Sequence, residues 1–147
     1  GPAYPPALNK LRAVQERNDP DGEFLQYRGA VPFEELHCSY LAADCFVFAS
    51  SCENLPNILL EAMAAGLPIA CSKLGPMPEV LGDAGVYFDP ESVADIEAAI
   101  TTLLQSPAQA EKLAEAAFER AKGFSWENCA QVTFSLIVKF ALGTQKR

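Results

Sequence analysis

The segment Ser50–Gly66, which reads SSCENLPNILLEAMAAG, decides the fold of this chain. Before Pro56 the segment is a polar loop, and after Pro56 it has the apolar composition of a buried helix. Pro56 suits the first position of a helix, where its missing N–H costs nothing, and Gly66 suits the C-terminal cap. The segment therefore predicts a loop that leads into a helix ending near Gly66.

The start of this helix has the chemistry of an anion site. The first N–H groups of a helix have no partner within the helix, and the helix dipole adds a partial positive charge there. Pro56 removes one donor, whereas Leu55, Asn57 and Ile58 keep theirs. We expect a negatively charged group, such as a phosphate, to bind at this point.

Two carboxylates lie on either side of this helix start. Glu53 is in the loop and Glu61 is inside the helix, with Asn57 one turn before Glu61 on the same face. Because a carboxylate accepts two hydroxyls at once, each glutamate could bind a vicinal diol of a sugar. Carboxylates placed around an anion site suggest a ligand with both hydroxyls and phosphates, which describes a nucleotide sugar.

Each glutamate also has an alternative that is purely structural. Glu53 precedes the first turn of a helix, where a negative charge complements the helix dipole. Glu61 lies within the apolar run Ile58–Met63, where a buried carboxylate needs a partner. That partner could be a Lys or Arg from elsewhere in the fold. The residues alone leave both alternatives open.

Short apolar runs alternate with helical segments along the chain. Cys45–Ala49, Pro68–Cys71 and Gly85–Phe88 have the composition of strands buried on both faces, and Phe24–Tyr27 is a further strand prediction. This alternation is typical of a parallel sheet covered by helices, in which ligands bind at the carboxyl ends of the strands. The loop after Ala49, which holds Glu53, is such an end.

A second loop is predicted to line the same cleft. Gly75–Glu79 follows the strand Pro68–Cys71, so it also leaves a carboxyl end of the sheet. The alternative is a plain turn that leads into a short helix.

Composition limits the function further. The 147 residues are 50% hydrophobic and 20% charged, which suits one globular domain with a sizeable core. The net charge of −8 disfavours a nucleic-acid partner. Five cysteines without a Cys-x-x-Cys pair predict reduced thiols and a cytoplasmic location. Cys38, Cys45 and Cys52 recur every seven residues, but a metal site is disfavoured because they fall on different predicted elements and His37 is the only histidine.

The order of the motifs resembles the glycosyl transferases group 1 family. The resemblance covers roughly residues 23–105 and rests on a series at family spacing. The motifs are Val31-Pro32 with Glu35-Leu36, Ala43–Phe48, Ser50-Ser51, Glu53-x7-Glu61 with Ala62–Ala64, Gly66-Leu67-Pro68, and Pro78-Glu79-Val80. Members of this family are retaining enzymes with two Rossmann-like domains, the GT-B architecture.

The resemblance implies an α/β fold, namely a partial Rossmann-like parallel sheet flanked by helices. Residues 1–147 would form a single partial donor-binding domain, with a C-terminal closing helix at 125–143 that packs back toward an acceptor domain. This would be the second domain of a GT-B enzyme lacking its first two strands. Those strands, the Gly-rich loop and basic residues that hold the diphosphate, and the acceptor domain would lie outside the chain.

The resemblance also assigns roles to residues. Glu53 would be the catalytic residue that contacts hydroxyls of the donor sugar, and Glu61 would bind the nucleotide ribose. The other donor-binding residues would be Asn54, Leu55, Asn57, Gly75 and Glu79. The family uses no metal and no cofactor, so the expected ligand is a UDP-, GDP- or ADP-sugar donor. The acceptor is open, with a glycan or a lipid-linked sugar as examples.

The expected function is thus the transfer of a sugar from a nucleotide sugar to an acceptor, with the fragment alone inactive. One alternative is a non-catalytic glycosyltransferase-like module that assembles with a partner, and a less favoured one is a nucleotide-sugar epimerase of the same architecture. An exposed sheet edge and the C-terminal helix predict self-association or a partner chain. The full-length protein is expected in the cytoplasm, with a peripheral position at the membrane as an alternative.

Overall fold

The computed structural model describes residues 4–143, and the chain divides after Ser39 into two compact units. The organisation of residues 1–147 as one domain stays a prediction, and each unit is described by itself. In chain order the elements are α1 (Pro5–Asn18), α2 (Phe33–Leu41), β1 (Phe46–Phe48), α3 (Asn57–Ala64), β2 (Ile69–Ser72), α4 (Met77–Leu81), β3 (Val86–Phe88), α5 (Val93–Gln105), α6 (Pro107–Ala121) and α7 (Trp126–Gly143).

The first unit is organised by the buried Asp19, which follows α1. Its carboxylate accepts the backbone N–H groups of Glu23, Phe24 and Leu25 at 2.8, 3.0 and 2.5 Å. Burial acts to raise the pKa of Asp19, but the backbone N–H donors outweigh it and hold that pKa below its usual value. Asp19 therefore gathers the following loop around its own side chain.

The predicted strand Phe24–Tyr27 is wrong, and the Asp19 turn explains why. Residues 24–27 are irregular in the structure. Two of the N–H groups that a sheet ladder would need are already taken by the Asp19 carboxylate. The composition of the segment predicts a strand, but the hydrogen bonds to the Asp19 side chain hold its backbone in an irregular conformation instead.

The second unit contains a three-stranded sheet. Its order is β1-β2-β3, and both pairs are parallel. The register places Phe48 beside Cys71 and Cys71 beside Tyr87. The predicted parallel sheet flanked by helices is thus confirmed. Because all three strands point the same way, their carboxyl ends lie along one edge.

Helices cover both faces of this sheet. On one face Phe48, Ile69 and Cys71 pack in a core cluster with buried side chains of α3 and α4. On the other face Ala70 and Phe88 pack against α5. The expected burial on both faces holds for β2, which is buried along its whole length, whereas Val47 of β1 is exposed.

Helix α6 takes part in both core clusters. Its Ala117 belongs to the cluster of α3 and α4, whereas Ala110 belongs to the cluster of α5. These alanines and Ala114 form a buried stripe along α6. Small side chains at helical spacing let α6 approach its neighbours closely.

Arg120, near the end of α6, fixes α4. Its Nε donates to the carbonyl of Val80 and its Nη2 to the carbonyl of Glu79, each at 2.6 Å. These are carbonyls of α4, whose C-terminal end carries a partial negative charge that a guanidinium complements. Arg120 therefore sets the position of the short helix that follows the Gly75 loop.

Helix α7 is exposed throughout residues 126–142, with Trp126 at 88%. Its exposed large apolar side chains are Trp126, Val132, Phe134, Leu136, Ile137, Val138, Phe140 and Leu142. The helix lies where the closing helix was expected, but its packing against another domain stays a prediction. Within residues 4–143, none of the helices is both long and apolar enough to cross a membrane.

Candidate functional site

Three loops leave the carboxyl edge of the sheet. One joins β1 to α3 and holds Glu53, a second joins β2 to α4 and holds Gly75, and a third joins β3 to α5 and begins with Asp89. In open parallel sheets this edge is where ligands bind. The parallel order therefore brings two of the predicted donor-binding loops to the same side of the unit.

Glu53 is half-buried and held by a neighbour. The Ser50 hydroxyl donates to Oε1 of Glu53 at 2.7 Å. This hydrogen bond spans the turn after β1 and restricts the rotamers of the carboxylate. Asn54 and Leu55 are exposed beside it, so their side chains are open to solvent.

The start of α3 differs from the prediction by one residue. The helix begins at Asn57, and the buried Pro56 is its N-cap. The N–H of Asn57 donates to the carbonyl of Leu55 at 2.9 Å. The expectation that this N–H is free for an anion is therefore wrong, because the turn into the helix uses it.

Glu61 has a partner that the sequence did not reveal. The hydroxyl of Tyr40, at the end of α2, donates to Oε2 of Glu61 at 2.8 Å. The ion pairs found within residues 4–143 are Lys73–Asp89 and Lys122–Glu119, and neither includes Glu61. The alternative of an ion pair to Glu61 therefore does not hold in this part of the chain. Tyr40 lies 21 residues before Glu61, a separation that no local pattern can detect.

Tyr40 remains a hydrogen-bond donor. Burial, the hydrogen bond to Glu61 and the charge of Glu61 all raise the pKa of Tyr40 far above its ordinary value. The phenol is therefore protonated throughout the pH range in which proteins are normally studied. Glu61 keeps its partner over that whole range.

The second loop is shaped by Gly75. Its φ of +58° lies in the left-handed region, and a Cβ there would meet only the side chain of Met77 at ordinary contact distances. Glycine is thus required for backbone conformation rather than for space. The turn leads into α4, where Glu79 is exposed in the first turn while its backbone carbonyl binds Arg120.

Lys73 joins the second loop to the third. Its Nζ lies 3.0 Å from Oδ2 of Asp89. The pKa of Asp89 is lowered by the N–H of Glu91 and by this contact with Lys73. The ammonium at this edge is therefore paired with a carboxylate. In the described residues, no group of three or more His, Cys, Asp or Glu side chains could hold a metal ion.

The fold has known counterparts among glycosyltransferases. A sucrose-phosphate synthase from Thermosynechococcus elongatus matches 97% of this chain and 38% of its own, with a TM-score of 0.79 and 25% sequence identity. The parallel α/β sheet and this structural match together show that the chain has a glycosyltransferase fold of the GT-B type. Residues 22–120 match the glycosyl transferases group 1 family, and the chain belongs to that family.

The names of relatives in this family describe several sugar-transferring activities. The chain is 41% identical over 125 residues to the O-antigen chain mannosyltransferase B of Escherichia coli, with 85% of this chain and 32% of the relative aligned. It is 30% identical over 138 residues to a D-inositol 3-phosphate glycosyltransferase of Corynebacterium efficiens, with 92% and 32% aligned. The chain thus spans about a third of the length of these curated relatives.

Proposed function

We propose that this chain is the donor-binding part of a retaining glycosyltransferase that takes its sugar from a UDP-, GDP- or ADP-sugar. The observation that carries the proposal is the pair of half-buried glutamates around α3, Glu53 and Glu61, each held through one oxygen by a protein hydroxyl. Carboxylates fixed in this way are prepared to accept hydroxyls of a sugar and of a ribose. The proposal uses no metal and no cofactor.

Each part of the donor then has a proposed place. Glu53 accepts hydroxyls of the transferred sugar, and Glu61 accepts hydroxyls of the ribose. The backbone at Asn54 and Leu55 and the loop Gly75–Glu79 lie beside the diphosphate and nucleotide. Catalysis rests on electrostatic stabilisation of the departing diphosphate, for which the cations come from the rest of the protein.

The relatives suggest where a search for the substrates starts. The name of the relative that is 41% identical specifies mannosyl transfer on an O-antigen chain. This favours a mannosyl donor and a glycan acceptor as the first pair to test. A lipid-linked sugar is the next acceptor in order.

The test of the function uses the full-length protein. Calorimetry with UDP, GDP and ADP, followed by rate measurements with their sugars, is expected to single out one nucleotide that binds and one sugar that is transferred. Failure of all three nucleotides to bind would contradict the proposed function.

Glu61→Ala in the full-length protein is expected to raise the donor KM about tenfold with a smaller change in kcat, because contact with the ribose contributes equally to the ground state and the transition state. The matched control is Glu97→Ala, which removes an exposed carboxylate from α5 and should leave the donor KM unaltered. An unchanged KM in Glu61→Ala would remove the ribose role from this residue.

One observation favours a second candidate function, a non-catalytic module that assembles with a partner. The ammonium of Lys73 is paired with Asp89, so its binding to a diphosphate would require this exposed ion pair to open. The two candidates differ in one result from the experiment above. Binding of a nucleotide by the full-length protein, without turnover of any of its sugars, would favour the module.

We also propose that α7 and the free edge of β1 are covered in the assembled protein by another domain, a partner or a second copy. In the described residues β1 pairs only with β2, and the α7 side chains are exposed. The 147-residue chain is expected to self-associate in light scattering after size exclusion. Phe134→Glu with Ile137→Glu should shift it toward the monomer, whereas a monomeric parent chain at high concentration would rule out this covering by self-association.

A further inference from the structure

Glu61 is held through one carboxylate oxygen and presents the other. Tyr40 donates to Oε2, while Oε1 has no protein partner among residues 4–143. No buried side-chain nitrogen or oxygen atom in that range lacks a partner, so Oε1 is open to solvent. Tyr40 therefore holds one carboxylate oxygen of Glu61, and the other oxygen can accept a hydrogen bond from a ligand.

Tyr40 also has a contact apart from its hydrogen bond to Glu61. Its ring lies 6.0 Å from the ring of Phe46, at an interplanar angle of 59°. The Phe46 ring in turn stacks on Phe48 at 6.0 Å. Both phenylalanines belong to β1, so the sheet holds their rings in place. The contact with Phe46 in turn restricts the position of the Tyr40 ring. Tyr40 is therefore a rigid support placed beside Glu61.

We propose that Tyr40 is a positioning residue for the nucleotide: its hydroxyl occupies Oε2 of Glu61 and thereby directs Oε1 toward one hydroxyl of the ribose. The proposal rests on the proposed function and adds a source of specificity to it. A carboxylate whose rotamer is already fixed loses less conformational entropy when it binds a hydroxyl. The ribonucleotide is favoured over a deoxyribonucleotide that lacks that hydroxyl.

The test compares two tyrosines in the full-length protein. Tyr40→Phe removes the hydroxyl that holds Glu61. Tyr87→Phe is the matched control, because the Tyr87 hydroxyl donates to the carbonyl of Gly82 at 2.6 Å and burial raises the pKa of Tyr87 to about 12. Each variant loses one half-buried phenol hydroxyl, but only Tyr40→Phe releases a site carboxylate.

Calorimetry measures the Kd of the nucleoside diphosphate that binds the wild type, and of its 2′-deoxy and 3′-deoxy forms. Tyr40→Phe is expected to weaken binding of the ribonucleotide about 3- to 10-fold, less than for a lost direct hydrogen bond to a charged group, because the hydroxyl acts through Glu61. It should hardly change the Kd of the deoxy form that lacks the recognised hydroxyl. Tyr87→Phe is expected to leave every Kd unchanged.

A second comparison separates positioning from simple stability. In the background of Glu61→Gln, Tyr40→Phe should have less effect on the Kd than in the wild type, because the two residues act as a unit. Equal effects in both backgrounds would overturn the role of Tyr40, as would an unchanged preference for the ribonucleotide in Tyr40→Phe. In both cases the proposed function stands. A wild type that binds no nucleotide would overturn both proposals together.

Discussion

Glu53→Gln in the full-length protein is expected to lower kcat/KM for the donor about 100- to 1,000-fold, the range found when one preorganised electrostatic group is removed from an active site. The amide has nearly the same shape as the carboxylate, and the Ser50 hydroxyl could still donate to its oxygen. What disappears is the negative charge beside the sugar, where positive charge develops as the diphosphate departs. Initial rates at varied donor concentration measure the effect.

The control for this variant is Glu97→Gln on the exposed surface of α5, which should retain wild-type kinetics. Thermal unfolding of both variants shows whether the fold is intact. A Glu53→Gln protein that folds and keeps the wild-type kcat/KM would contradict the catalytic role of Glu53 and leave the helix-dipole interpretation in its place.

Gly85→Ala is expected to lower the free energy of unfolding by about 3 kcal/mol, at the upper end of the cost of overpacking a core. A Cβ at this position would lie 2.5 Å from Cδ2 of Leu81 and 2.9 Å from the carbonyl oxygen of Ile69. The first contact requires a core side chain to move, and the second is with the backbone of β2. Urea unfolding of the wild-type and Gly85→Ala proteins measures the difference in their free energies of unfolding.

Gly123→Ala is the matched control for the glycine substitution. Its added Cβ would come no closer than 3.4 Å to the carbonyl of Arg120, and its φ is not in the left-handed region. We expect a change within about 0.5 kcal/mol. Equal stabilities for Gly85→Ala and Gly123→Ala would show that the start of β3 can shift without cost.

Most of the second unit follows from short-range patterns. The strands β1, β2 and β3 come from short apolar runs, and the change to helical spacing after Pro56 predicts α3. These signals are local, because they depend only on the order of apolar residues within each run. The exact start of α3 was missed by one residue, since the turn at Leu55–Asn57 depends on backbone hydrogen bonds.

The errors come from contacts between positions that are far apart or from competing side chains. The carboxylate of Asp19 takes the N–H groups that a strand at residues 24–27 would use. The partner of Glu61 is a phenol from another helix rather than a cation. Tyr40 looks like an ordinary apolar helix residue in the sequence, and only the packing of its ring against β1 reveals the direction of its hydroxyl.

The participation of α6 in both core clusters has a consequence for how the second unit opens. Ala117 belongs to the core cluster on one face of the sheet and Ala110 to the cluster on the other. Detachment of α6 would therefore remove a buried side chain from both clusters at the same time. We therefore expect the two layers of helices to unfold together rather than separately. Slow amide hydrogen exchange in β2 would then report global opening of the sheet and not the local unfolding of one helix layer.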